Sequence, residues 1–159
     1  MQQPHDDSMK SDMKPYLRLL IALAASYVVM FASMYSRVNA LSNVFLSLNQ
    51  VYMAGLMVAP MLLIMLTVMG SMFKNKRLNA VLFVAGVALT GLCWLLVRTQ
   101  AGVGNQQFLR SMIPHHAGAV LVCQEASLTD PRIEKLCGQI IESQEREIRE
   151  MKAFMQDAR

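Results

Sequence analysis

The chain has 159 residues, 54% of them hydrophobic, and a formal net charge of +4. No Asp or Glu occurs between Met13 and Gln124, and long apolar runs fill that stretch, so the positive charges belong to an N-terminal tail and to short loops. This distribution is typical of a multi-pass membrane protein and argues against a nucleic-acid-binding surface. The three cysteines are too few for a disulfide-rich scaffold.

Residues 1–15 predict a cytoplasmic tail without fixed structure, because polar chain termini are seldom held in place. Five tail residues could bind a metal weakly: His5, Asp6, Asp7, Met9 and Met13. We favour disorder as the simpler interpretation of this tail.

Three apolar segments follow, at about residues 16–35, 51–73 and 78–97, within a membrane region at residues 16–98. A helix needs about 20 mostly apolar residues to cross a hydrocarbon layer about 30 Å thick. Lys or Arg bounds each segment, and aromatic residues lie near the ends, where amphipathic rings prefer the membrane interface. The absence of carboxylates from these segments argues against a proton-coupled transporter.

The second segment repeats methionine every four residues, at positions 53, 57, 61, 65 and 69, which places the side chains on one slowly winding ridge. Methionine suits helix packing as a flexible apolar side chain, and we favour this interpretation because no His or Cys joins the ridge. The alternative is a ladder of thioethers for a soft cation such as Cu(I). Pro60 should kink this helix near its middle.

The cationic residues predict the orientation of the chain. With three spans, the N-terminus and the second loop share one side of the membrane. That side carries Lys10, Lys14, Arg18, Lys74, Lys76 and Arg77. Because cationic loops stay in the cytoplasm, we expect a cytoplasmic N-terminus and a C-terminal domain on the outer side. In a bacterium, this is the inner membrane with a periplasmic domain.

Residues 105–159 predict a domain of two helices, at about residues 107–127 and 131–158. Asp130 and Pro131 form a helix start signal, with Asp as the N-cap and Pro at the first helical position. The short connection between the helices predicts an antiparallel hairpin. The expected fold class is therefore all-α, with three transmembrane helices followed by an extracytoplasmic helical hairpin.

The hairpin register places soft and polar donor side chains on one seam. If the chain turns at about residue 130, facing positions sum to about 260, so Cys123 faces Cys137 and His116 faces Gln144. The seam then contains Met112, His116, Cys123, Cys137, Gln144, Glu147 and Met151. Thioether, thiolate and imidazole groups suit copper, in particular Cu(I). The alternative is a plain core, since Met and Cys are often buried.

The cysteine pair leaves three interpretations open. Cys123 and Cys137 could form a disulfide in an oxidising compartment, provide thiolate ligands to a metal, or simply pack in the core. A disulfide requires Cα atoms within about 7 Å of each other.

The two adjacent histidines cannot share one seam on an ideal helix, because His115 and His116 diverge by about 100°. Either Pro114 distorts this turn or one imidazole serves a second hairpin. Since four helices close a core that two cannot, we expect two chains to form a four-helix bundle, as a homodimer or higher homo-oligomer, with His115 near the interface.

Residues 108–120 read FLRSMIPHHAGAV, and a second block contains Ile140, Ile141, Gln144, Glu147, Ile148 and Met151. Over about residues 105–155, these blocks resemble the bacterial family known as domain of unknown function 305 (DUF305). The resemblance implies an extracytoplasmic helical bundle, and some members are associated with copper binding and tolerance. It implies the ligands Met112, His115, His116 and Met151, with Gln144 and Glu147 as polar partners. The chain departs from the family pattern at Ala117 and Val122, where Gln and Met are usual; Cys123 is a candidate replacement ligand.

The leading hypothesis is an inner-membrane protein whose periplasmic helices bind copper or silver in metal homeostasis or tolerance. Its expected partners are the lipid bilayer, a second copy of the chain and a metal ion. The alternative is a metal-independent membrane scaffold or adaptor whose hairpin mediates oligomerisation or partner docking. An enzyme is not expected, because the sequence has no Glu-x-x-His pair of the kind used by di-iron bundles and no phosphate-binding glycine loop.

Overall fold

The structure is a computed structural model that describes residues 5–157, with side chains described from Met13 onward. Helices account for 86% of these residues, which include no strand, and the predicted all-α class is confirmed. The α-helices are α1 (His5–Ser33), α2 (Leu48–Val68), α3 (Lys76–Thr99), α4 (Asn105–Glu125) and α5 (Pro131–Asp157). Short 3-10 helices occur at Met34–Arg37, Leu41–Asn43 and Gly70–Met72.

The N-terminal tail differs from the prediction, because α1 begins at His5 rather than near residue 16. Extending an existing helix costs less than starting one, so an apolar helix can continue into a polar flank. The weak metal ligands predicted at residues 5–9 lie outside the described side chains.

Three helical stretches are long and apolar enough to cross a membrane: Met13–Arg37, Leu48–Val68 and Lys76–Thr99. They match the predicted spans except at the end of the second, where α2 stops at Val68 and a short 3-10 helix starts at Gly70. Glycine weakens a helix because its unfolded backbone has unusual freedom. α2 is otherwise continuous through Pro60.

One compact unit lies within residues 1–31 and 51–99, and we call it the first unit. Its core cluster consists of Tyr16 and Leu19 on α1, Leu66 on α2, and Phe73 in the connection between α2 and α3. Leucines of α3 pack against this cluster. The Tyr16 hydroxyl donates a hydrogen bond of 2.7 Å to Oδ1 of Asn79. This polar contact joins the N-terminal parts of α1 and α3.

Small residues allow α2 and α3 to approach closely. A Cβ atom added at Gly55 would lie 2.9 Å from Sγ of Cys93, and one added at Gly86 would lie 2.7 Å from a methyl carbon of Leu63. Such contacts are typical of helix pairs in membranes, where packing rather than water exclusion drives association. In the methionine ridge, Met65 packs against the core cluster and Met57 is 48% exposed.

The second unit comprises residues 32–50 and 100–159. It therefore contains α4, α5 and the segment that connects α1 to α2. The predicted domain at residues 105–159 did not include this connecting segment.

α5 begins where the sequence predicted. The Asp130 carboxylate accepts hydrogen bonds from the Arg132 backbone N–H (2.9 Å) and from its guanidinium (2.7 and 3.1 Å). The Arg132 side chain, with help from the backbone, lowers the pKa of Asp130. The carboxylate therefore stays ionised at the positive end of the helix.

Candidate metal-binding site

The core of the second unit lies where α4 packs against α5. Five buried residues form it: Leu109, Ile113, Ala117, Ile148 and Met151. Ile113 and Ala117 have no exposed surface. The apolar periodicity of both helices produces this core, because residues three or four apart share one face of a helix.

The connecting segment at residues 34–47 also packs against this core. Val38 and Phe45 contact it from the segment. The side-chain oxygen of Gln107 on α4 accepts a 3.0 Å hydrogen bond from the Leu48 backbone N–H. A Cβ atom at Gly118 would lie 3.3 Å from the Arg37 carbonyl oxygen, so this glycine permits a close approach of the two backbones.

Sequence reasoning missed this role of the segment. The sequence did contain a signal for it, because Val38 and Phe45 are apolar residues in a loop, where polar residues are more usual. With the segment in place, α4 is covered on a side that a bare pair of helices would leave open.

A disulfide between Cys123 and Cys137 links α4 to α5, with Cα atoms 5.3 Å apart. This result selects one of the three interpretations of the cysteine pair. While the bond is present, Cys123 has no thiolate to offer a metal and drops out of the predicted ligand set. Cys93, in α3, is a free and buried cysteine.

His116 lies inside the α4–α5 pair, with its side chain only 14% exposed. Its Nδ1 atom is buried and makes no hydrogen bond with any group that the structure describes. The Glu147 carboxylate oxygen Oε2 is the neighbouring acceptor, 3.3 Å away. The predicted partner of His116 was Gln144, and the contacting residue lies three positions further along α5, within the one-turn accuracy of the spacing argument.

Ser143 belongs to the same group of side chains. Its hydroxyl donates a 2.8 Å hydrogen bond to the other carboxylate oxygen of Glu147, Oε1. Sequence reasoning did not select Ser143, although its spacing of four residues from Glu147 places both on one face of α5.

Burial lowers the pKa of His116; Glu147 opposes this shift by raising the pKa, and His115 adds a smaller lowering. Because burial dominates, the imidazole is neutral at pH 7. A neutral imidazole retains one nitrogen lone pair, which is the form that binds a metal.

The predicted methionine ligands flank this pair. Met112 lies one turn before His116 on α4, and Met151 lies one turn after Glu147 on α5. Both pack in the same cluster, where Met151 is 8% exposed. The structure therefore brings Met112, His116, Glu147 and Met151 to one region, which we call the donor cluster.

His115 lies outside the donor cluster. It is exposed, and the centre of its ring is 6.0 Å from that of His116, with the ring planes 60° apart. α4 remains helical through Pro114, so the two imidazoles diverge as ideal helix geometry predicts. Gln144 is half-buried on α5 and is not the residue that pairs with His116.

The chemistry of the donor cluster fits a soft metal. Within the part of the chain that the structure describes, no group of three or more His, Cys, Asp or Glu residues is placed to hold a metal ion. A site here would depend on two thioethers and one neutral imidazole. Those donors match Cu(I) or Ag(I) and suit Zn²⁺, Mg²⁺ or iron poorly.

Comparison with known proteins shows a family match that covers more of the chain than the two C-terminal helices. The profile described as domain of unknown function (DUF305) matches residues 68–155, which include all of α3 and α4. This match begins well before the predicted boundary near residue 105. An uncharacterized protein of Acanthamoeba polyphaga mimivirus is 30% identical over 142 residues, covering 87% of this chain and 91% of that protein. No solved structure matches the chain.

Proposed function

This chain belongs to the DUF305 family, and we propose that it is an integral membrane protein that binds copper or silver through α4 and α5, for metal homeostasis or tolerance. The observation that carries the proposal is the donor cluster. It combines Met112, Met151 and an imidazole that burial keeps neutral.

In this proposal, Met112, His116 and Met151 are the ligands, and Glu147 orients the imidazole of His116. Cu(I) is the favoured metal because two thioether sulfurs and one imidazole are soft or borderline donors. A carboxylate on the second ring nitrogen of a ligating histidine fixes its orientation and raises its basicity. His115, which is exposed and lies outside the donor cluster, is not a ligand in this proposal.

The apolar helices and the distribution of charges support the proposed membrane location and orientation. Three helices have the length and composition to cross a bilayer, and the cationic residues concentrate on the side of the N-terminus. The Cys123–Cys137 disulfide favours an oxidising compartment for α4 and α5. We infer a bacterial inner-membrane protein with a cytoplasmic N-terminus and a periplasmic C-terminal domain.

We also propose that α4 and α5 form an antiparallel hairpin that pairs with a second copy of the chain. Phe108, His115 and Val122 recur every seven residues along α4, and Phe108 and Val122 are 51% and 63% exposed. This spacing places them on one face of the helix. Pairing through it would bury the apolar side chains and place His115 at the interface.

The test is copper binding by the purified full chain in detergent. Ascorbate keeps copper as Cu(I) without the thiol reductants that would break the disulfide, and a chromophoric Cu(I) chelator sets the free metal concentration. We expect about one copper per chain for the wild type and for His115→Asn, and a loss of copper for His116→Asn. Equal and negligible copper in all three proteins would refute the proposal.

A metal-independent scaffold is the second candidate function. It is favoured by the exposed apolar side chains of Phe108, Val122, Leu136 and Phe154, which a second protein could cover. Under this alternative, Val122→Ser and Phe154→Ser would abolish assembly in light-scattering measurements, whereas His116→Asn would not change it. The copper proposal predicts that His116→Asn removes the metal in a protein that still assembles.

A further inference from the structure

We propose that Ser143, Glu147 and His116 form a positioning chain in which Glu147 holds the proton of His116 on Nδ1, so that Nε2 is the nitrogen left to bind the metal. The inference rests on the proposed function and deepens it, because it names the ligating atom and adds Ser143 as a positioning residue. None of the three residues is assumed to react.

The distances define the order of the chain. Ser143 donates to Oε1 of Glu147 at 2.8 Å, and Oε2 of the same carboxylate lies 3.3 Å from Nδ1 of His116. Oε1 of Glu147 therefore accepts a hydrogen bond on its own helix, whereas Oε2 lies close to Nδ1 across on α4 without a hydrogen bond to it. The 3.3 Å separation makes Oε2 the acceptor nearest to Nδ1, so it is the group that would complete this hydrogen bond.

The chemistry of the acceptor decides the tautomer. An ionised carboxylate can only accept hydrogen bonds, and a neutral imidazole carries its proton on one nitrogen and a lone pair on the other. Nδ1 of His116 is buried, and leaving it without a partner is costly. A proton on Nδ1 of His116 can be donated to Oε2 of Glu147, which gives both atoms a partner. A proton on Nε2 would instead leave a lone pair of Nδ1 facing a lone pair of Oε2.

Glu147 fits this role better than Gln144, the other polar residue of this region. An amide can either donate or accept, so a glutamine in contact with Nδ1 would permit both tautomers of the imidazole. The structure places the carboxylate next to Nδ1.

Ser143 is needed because the Glu147 side chain is 39% exposed and would otherwise be free to turn into water. The terminal torsion of a glutamate has a broad range of accessible angles. A hydrogen bond from the preceding turn of α5 restricts this range and keeps Oε2 directed toward α4. Ser143 therefore acts on the metal site only through Glu147.

The experiment measures the tautomer of His116 in the metal-free protein. The full chain, oxidised and in detergent, is labelled with ¹⁵N in its three histidines, and the ring ¹⁵N chemical shifts distinguish Nδ1–H from Nε2–H. His116→Asn identifies the signals of His116, and His115→Asn identifies those of its neighbour. We expect Nδ1–H for wild-type His116, a loss of this preference in Glu147→Gln, a partial loss in Ser143→Ala and its recovery in Ser143→Thr. Glu150→Gln, an exposed carboxylate on the same helix, is the matched control and should change nothing.

Copper affinity is measured on the same proteins as a separate readout. Loss of a residue that orients a metal ligand costs about 10–100-fold in affinity, so we expect about 10-fold for Ser143→Ala and up to about 100-fold for Glu147→Gln. A wild-type Nε2–H tautomer, or an Nδ1–H tautomer that survives both substitutions, would overturn the positioning chain even if copper binds. An Nδ1–H tautomer that depends on both residues in a protein that binds no copper would support the positioning chain and overturn the proposed function.

Discussion

Removal of the disulfide between α4 and α5 should weaken the second unit by an amount that follows from its loop length. Cys123 and Cys137 are separated by 14 positions in sequence. In the chain-entropy model, closing a loop of this size removes disorder from the unfolded chain worth about 3 kcal/mol at 25 °C. The double variant Cys123→Ala/Cys137→Ala should lose about this free energy of unfolding.

Native-state hydrogen exchange of the full chain in detergent measures this effect locally. Peptides from α4 and α5 should exchange about 100-fold faster in the double variant, because each 1.4 kcal/mol corresponds to about a tenfold change in an opening equilibrium. Peptides from α2 and α3 should be unchanged. Cys93→Ala is the matched control, since Cys93 is a free cysteine in the first unit.

A change below about 1 kcal/mol in α4 and α5 would refute the loop-entropy reasoning, because it would be far smaller than the model predicts for this separation. Faster exchange of the α4 and α5 peptides in the Cys93→Ala control would also contradict it, since that substitution leaves the disulfide intact. Intact mass under non-reducing conditions verifies that the wild type carries the bond before exchange begins.

Three further predictions concern single residues. Ile113→Ala removes a fully buried side chain and should destabilise the second unit by about 2–5 kcal/mol, measured by urea denaturation; a loss below about 1 kcal/mol would contradict the described core. Since burial lowers the pKa of His116, the unfolded chain takes up this proton more readily. The contribution of His116 to the free energy of unfolding should be fully present above pH 6.5, the ordinary pKa of histidine, and should be lost as the pH drops below it. Melting temperatures between pH 7.5 and 5.5 should show this slope, which His116→Asn removes and His115→Asn does not. Tyr16→Phe deletes the hydrogen bond to Asn79 and should cost the first unit about 1 kcal/mol in thermal unfolding, while an unchanged midpoint would argue against this contact.

Local patterns in the sequence predicted most of the secondary structure. The apolar runs predicted three helices of membrane-spanning length, and Asp130 followed by Pro131 predicted the start of α5. These features depend on residues close together in the chain, where helix periodicity and backbone capping act directly. The same spacing argument placed Cys123 opposite Cys137, and their Cα atoms are 5.3 Å apart.

The tertiary structure decided which partners these side chains take. Spacing could not choose between a disulfide, a thiolate ligand and a packed thiol, because all three need only that the cysteines face each other. It also paired His116 with Gln144 rather than Glu147, since a register estimate is accurate only to about one helical turn.

The connecting segment shows the same limit most clearly. Val38 and Phe45 lie about 70 residues before Ile113 in the chain and pack against its cluster. No periodicity links positions so far apart, because the contact depends on how complete helices fill space around one core. The sequence by itself determined the helices and the chemical character of the donor cluster; only the packing of distant segments determined which atoms meet.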